Sequence, residues 1–210
     1  MIRTAFAFLA VVLLLAAQTA SGQSLTEADA RVAQILRENP DTGILIADVA
    51  MKDEKGHPLA CGTLTLGLAG TEKKTSRIQT HVGTFFGAGG RDGGIVGLKP
   101  GLWLAANVIC DAGGMKTYRG HFAKITIRPG EIVAAGTLVI DYKMQPHALF
   151  QRSTFSSSVH VEEFSPKTVA SLKAFAPVTF AKAKKSPFIM LTDLEKREGL
   201  TPPAPAKPKR

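Results

Sequence analysis

His121-Phe122-Ala123-Lys124-Ile125-Thr126-Ile127-Arg128 sets Ala123, Ile125 and Ile127 against Lys124, Thr126 and Arg128 in strict alternation. Successive side chains of an extended chain point to opposite faces, so this octet reads as a strand with one dry side and one wet side. The period recurs upstream, where Leu64, Leu66 and Leu68 alternate with Thr63 and Thr65. Short apolar or alternating runs fill 43–51, 59–69, 76–86, 94–98, 102–110, 121–128, 131–142 and 147–163. Turn chemistry such as Lys55-Gly56-His57-Pro58 and Asp111-Ala112-Gly113-Gly114 separates them. The pattern predicts a mainly-β fold, an antiparallel β-sandwich of about seven to eight strands over 41–164.

Outside that span the period changes to 3.6. Ser24 and Glu27 form a capping-box pattern, and Leu25, Ala28, Val32, Ile35 and Leu36 recur at helical spacing before Asn39-Pro40, which predicts a short N-terminal helix within 23–40. Beyond Phe164, Ser165-Pro166 opens a helical pattern carrying Val169, Leu172 and Phe175 and ended by Pro177. A second helical piece is expected from Phe188 to Glu198, giving a basic helical segment over 165–200. The last ten residues, 201–210, are rich in Pro and Lys and read as an extended, disordered tail.

Two turns repeat one another. Leu98-Lys99-Pro100-Gly101 and Ile127-Arg128-Pro129-Gly130 share the order apolar, basic, Pro, Gly, followed by a strand. Proline presets φ at the first turn position and glycine admits the positive φ needed at the second, so each predicts a type II turn. These two edges resemble the "L-x-P-G-x-Y" edges of transthyretin-like (prealbumin-like) β-sandwich domains of bacterial envelope proteins, over residues 43–142. Trp103 and Ile132 stand where such domains place the tyrosine. The resemblance implies an architecture and an extracytoplasmic binding or accessory role, and it carries over no functional residue.

The N-terminus reads as a cleaved signal peptide over 1–22. Arg3 precedes an apolar run from Ala5 to Ala17, followed by small residues at Ala20-Ser21-Gly22. That run is 13 residues long, short of the roughly 20 needed to span a bilayer. No cysteine stands near the cut to accept a lipid. The expected location is therefore periplasmic or secreted. Cys61 and Cys110 are the only cysteines, and an oxidising compartment favours a disulfide over two buried thiols. By phase, Cys61 follows Thr63 and Thr65 whereas Cys110 follows Leu104, Ala106 and Val108, so a bridge calls for a bulge.

Charge is uneven along the chain. The formal net charge is +9, and ten of the 26 Lys and Arg residues, against three of the 17 acidic ones, fall in 165–210. Lys182, Lys184, Lys185, Lys207, Lys209 and Arg210 are the candidate contacts to an anionic surface, either an envelope polymer or a membrane. No nucleic acid partner is expected for an exported protein. A small ligand, if there is one, is assigned to the Gly-rich loop through Gly89, Gly90, Arg91 and Asp92, between two strands rather than before the helix that a phosphate-binding loop requires. The five histidines His57, His81, His121, His147 and His160 include no pair at metal-ligand spacing. No nucleophile elbow is present, and no cofactor or catalytic residue is assigned. The expected function is a non-enzymatic binding or accessory module of the cell envelope. The alternatives are a hydrolase or metal-dependent enzyme built on a histidine cluster, and a self-associating structural subunit.

Overall fold

A computed structural model of the chain describes residues 25–59, 61, 63–70, 75–80, 94–111, 115–145, 154–193 and 195. The expected signal peptide, the Gly89–Asp92 loop, His81, His147 and the tail with Lys207, Lys209 and Arg210 lie outside them. Among the described residues the fold is mainly β, with two five-stranded sheets and three helices. Helix α1 (Glu27–Glu38) precedes β1 (Gly43–Lys52), β2 (Thr63–Gly70), β3 (Thr75–Thr80), β4 (Ile95–Leu98), β5 (Gly101–Asp111), β6 (Met115–Ile127), β7 (Ile132–Gln145) and β8 (Thr154–Glu162). Helices α2 (Pro166–Phe175) and α3 (Pro177–Lys182) follow, then the two-residue strands β9 (Lys184–Lys185) and β10 (Ile189–Met190).

Sheet A runs β4-β1-β7-β8 with β9 beside β7, and sheet B runs β10-β6-β5-β2-β3. One core lies between them, made by Leu45, Val49 and Ile140 from sheet A and Leu64, Leu66, Val108 and Ile125 from sheet B. The expectation of a purely antiparallel structure fails at the centre of sheet A, where β1 pairs parallel to β7. Periodicity reports which side of a strand is dry and is blind to the direction of its neighbour.

Both Pro-Gly motifs sit at corners between the sheets instead of in hairpins. Pro100-Gly101 carries the chain from β4 of sheet A to β5 of sheet B, and Pro129-Gly130 returns it from β6 to β7. Gly130 takes φ 64°, and the Glu131 amide donates to the Arg128 carbonyl at 3.3 Å, closing the second turn. A bulge settles the cysteine question. Gly67 faces Asn107 but Leu68 faces Ala105, which leaves Ala106 as an extra residue in β5. The alternation resets there, so the core takes Trp103, Ala105, Val108 and Cys110, and Leu104 leaves the phase expected from the sequence. Cys61 precedes β2, and its amide turns back onto the Leu59 carbonyl at 2.9 Å, so the strand phase does not apply to it. The two are bonded, with Cα atoms 5.3 Å apart and a sequence separation of 49. A closed loop of that length stabilises the fold by about 4 kcal/mol.

The helices cover part of sheet A. Ile44, Ile46 and Ile132 on its outer face pack against Val32 of α1 and Leu172 of α2. The cap of α1 is Thr26, whose Oγ1 accepts from the Asp29 amide at 3.1 Å, and not Ser24 as the sequence pattern suggested. Pro177, read as the end of one helix, occupies the first turn of the next. The helix expected over 188–198 is replaced at its start by β10, which pairs with β6. Phe188 is buried in the core, and that burial turns the chain away from helix. Past β10, Glu195 accepts from Lys124 and from the Thr192 amide; the Lys124 contact chiefly pushes its carboxyl down to about 2. Because β9 pairs with β7 and β10 with β6, the segment 184–190 laces the two sheets together along one side.

Candidate functional site

A cleft of about 580 Å³ opens where α1, α3, β9 and the Arg128–Glu131 corner meet. Its position follows from how α1 and α3 are tied. Helix α3 has no side-chain cap of its own, and Asp29 of α1 supplies one. Asp29 Oδ1 accepts from the Thr179 amide at 2.7 Å and from Thr179 Oγ1 at 2.6 Å, while Oδ2 accepts from the Val178 amide at 3.2 Å. Thr26 Oγ1 adds a donor within 2.8 Å of the Phe175 carbonyl and 3.1 Å of Asp29 Oδ2, its one proton serving either. Burial acts to raise the Asp29 pKa, but the bonds from Thr179, Val178 and Thr26 outweigh it and hold the carboxyl below its usual range. At 2% exposure the carboxylate is part of the wall, with its lone pairs occupied.

Val32, Leu36, Ile132 and Val178 give the cleft an apolar lining, and Leu25, 64% exposed, stands at its lip. Arg128, Lys182 and Lys184 line it as well, all three exposed. Lys184 Nζ lies 3.6 Å from Glu131 Oε1. A second hollow of about 550 Å³, lined by Phe164, Phe180, Phe188 and Lys185, lies across β9. Its charge balance is different, because Glu162 and Glu163 line it and Lys185 is bonded to Glu163. Of the six cations proposed from sequence, Lys182 and Lys184 therefore share one cleft and Lys185 faces another. Arg128 joins the first two although no local pattern groups it with them: it precedes the Pro-Gly corner, and only the return of the chain at 177–184 brings it beside α3.

A polar network occupies the outer face of sheet A beyond the helices. His160 Nδ1 lies 3.1 Å from Asp141 Oδ2 and Nε2 lies 2.9 Å from Glu162 Oε1. Lys52 Nζ reaches both oxygens of Glu162 at 2.9 and 3.1 Å. The contacts from His160 first, and Lys52 second, hold Glu162 below the ordinary carboxyl range. Ser158 Oγ donates to Asp141 at 3.3 Å and not to the imidazole, so the geometry makes no serine-histidine pair. His121 lies on sheet B, whereas Asp48 and Asp141 lie on sheet A. His57 sits on a surface turn, 3.4 Å from Asp53. Among the described residues no three His, Cys, Asp or Glu side chains are grouped to hold a metal ion.

Set beside known protein families, curated proteins and solved structures, the chain matches none. What it can bind must be argued from its own residues. A groove with aliphatic walls and three cations can seat a ligand that is part apolar and part anionic. The His160 network, whose polar atoms are engaged with one another, offers less.

Proposed function

We propose that the chain is an exported, non-enzymatic binding or accessory domain of the cell envelope, a β-sandwich of the transthyretin-like kind, that engages anionic envelope material through its basic C-terminal segment. The observation that carries this reading is the convergence of Arg128, Lys182 and Lys184 around one cleft. Cations gathered on one surface attract anions over roughly 10 Å at moderate salt, more effectively than the same charges dispersed. The Cys61–Cys110 bond supports the oxidising location. No described helix is long and apolar enough to cross a membrane.

Retention on vesicles tests the proposal. The chain should sediment with vesicles containing phosphatidylglycerol and not with pure phosphatidylcholine, and salt should release it. Lys182→Gln with Lys184→Gln should weaken retention by about thirtyfold, each removed charge near the surface accounting for roughly 1 kcal/mol, and deleting 201–210 should weaken it further. Equal retention of the unaltered protein on both vesicle types would defeat the reading.

A further inference from the structure

We infer that the cleft between α1, α3 and the Arg128–Glu131 corner is a binding site for one molecule of a single-chain lipid phosphate, its chain lying on the aliphatic wall and its phosphate at Arg128 and Lys182. The inference rests on the functional reading above and names the ligand class for the same cleft. Three observations converge on it. Leu25 is one of two large hydrophobic residues left strongly exposed among those described, and it stands at the mouth of the cleft. Solvated leucine here is surface that a bound chain would cover, continuing the Val32 and Leu36 stripe of α1 outward. The volume of about 580 Å³ falls within the range of small-molecule sites, roughly 300 to 1,000 Å³.

Charge then selects the head group. Arg128 presents a planar fork of donors that matches two phosphate oxygens, and Lys182 adds a point charge across the cleft. Two carboxylates line the same space against three cations, and both are already held by donors of the protein. Asp29 is spent on the α3 amides and on Thr179, and Glu131 is engaged by Lys184. The hollow across β9 has comparable volume, but Lys185 is the single cation of its lining and is already bonded to Glu163, which leaves the head group no free charge to meet.

Calorimetric titration with monomeric dodecyl phosphate, below its micelle concentration, tests the site against dodecyl maltoside and inorganic phosphate. One dodecyl phosphate should bind per chain, with at least about tenfold weaker binding of the neutral detergent and of free phosphate, since each lacks one of the two recognised parts. Ala33→Trp places bulk in the cleft from an exposed helix position and should abolish binding with the melting temperature unchanged. Arg128→Glu should weaken binding without affecting the fold. Equal binding of dodecyl maltoside, or full binding by Ala33→Trp, would overturn the inference. Retention on phosphatidylglycerol vesicles without dodecyl phosphate binding would sink this inference alone and leave the broader reading standing. Loss of both would remove the two together.

Discussion

The outer face of sheet A carries two unlike surfaces end to end on the same strands. Along β1, Ile44 and Ile46 lie under the helices, and two residues further on the positions belong to Asp48 and then Lys52. Along β7, Ile132 gives way to Thr137 and Asp141. The change occurs at a bulge: Ile46 faces Ala134 but Asp48 faces Thr137. Gly136 takes φ 80° there, and a Cβ on it would meet the Glu162 carbonyl at 2.4 Å. Were β7 regular at Gly136 instead of bulged, the alternation would turn Thr137 and Asp141 to the core side. The covered half is held by burial, and the open half by charge pairs that water screens. The comparison teaches that neighbouring positions on one strand draw on quite different energies.

Breaking the covered half should have the largest effect. Leu172 is fully buried between α2 and the sheet, and Leu172→Ala should lower stability in urea by about 3 kcal/mol; a loss below about 1 kcal/mol would mean that the helices contribute little. Next comes the tie between helices. Asp29→Ala removes the acceptor for α3 and should cost about 2 kcal/mol at neutral pH. Because the folded carboxyl titrates below its ordinary 3.8, the difference between the two proteins should be full above that pH and shrink as the pH falls through the lower folded value.

Asp48 marks the boundary and should behave in the opposite sense. Burial pushes its carboxyl up to about 6, although the Val49 amide and the Thr168 and Thr137 hydroxyls bond to it. The folded protein then holds a proton that the unfolded chain releases, so the penalty is absent below 3.8, grows up to about 6 and is constant above. Asp48→Asn should therefore stabilise the protein at pH 7 by on the order of 1 kcal/mol, with no gain near pH 4. A destabilised variant at pH 7 would show that the charge itself is needed. The smallest effect belongs to the open half, where His160→Gln should shift the melt by less than about 0.5 kcal/mol.

How much of this the sequence discloses depends on whether a feature is local. The alternation around Ile125, the cap at Ser165 and the break at Asn39 are local, and the structure carries all three. Ser158, His160 and Glu162 share a face at spacing two, so half of the His160 network was open to the same reasoning. Its other half was not, since Asp141 and Lys52 arrive through the register of β7 and β1. The cleft was least legible. Arg128, Asp29 and Lys182 come from three distant stretches, and Asp29 reads as an ordinary first-turn acid until the α3 amides are found on it. Leu104 was misplaced because one extra residue, Ala106, cannot be counted from the pattern of a single strand.

The parallel ladder at the heart of sheet A has a consequence for the order of events as the chain folds. It sets Ile44 beside Ile132, whereas β5 and β6 pair across a short connection. Closing long loops is slow relative to zipping near neighbours, so the β5–β6 arm should be in place while β1 still waits for its partner. Pulse-labelled amide exchange would detect that wait as late protection of the Ile44 amide, which donates to the Glu131 carbonyl, and simultaneous protection of both ladders would refute it. During that interval the aliphatic face of β1 that carries Leu45 and Val49 stands uncovered by its eventual neighbours.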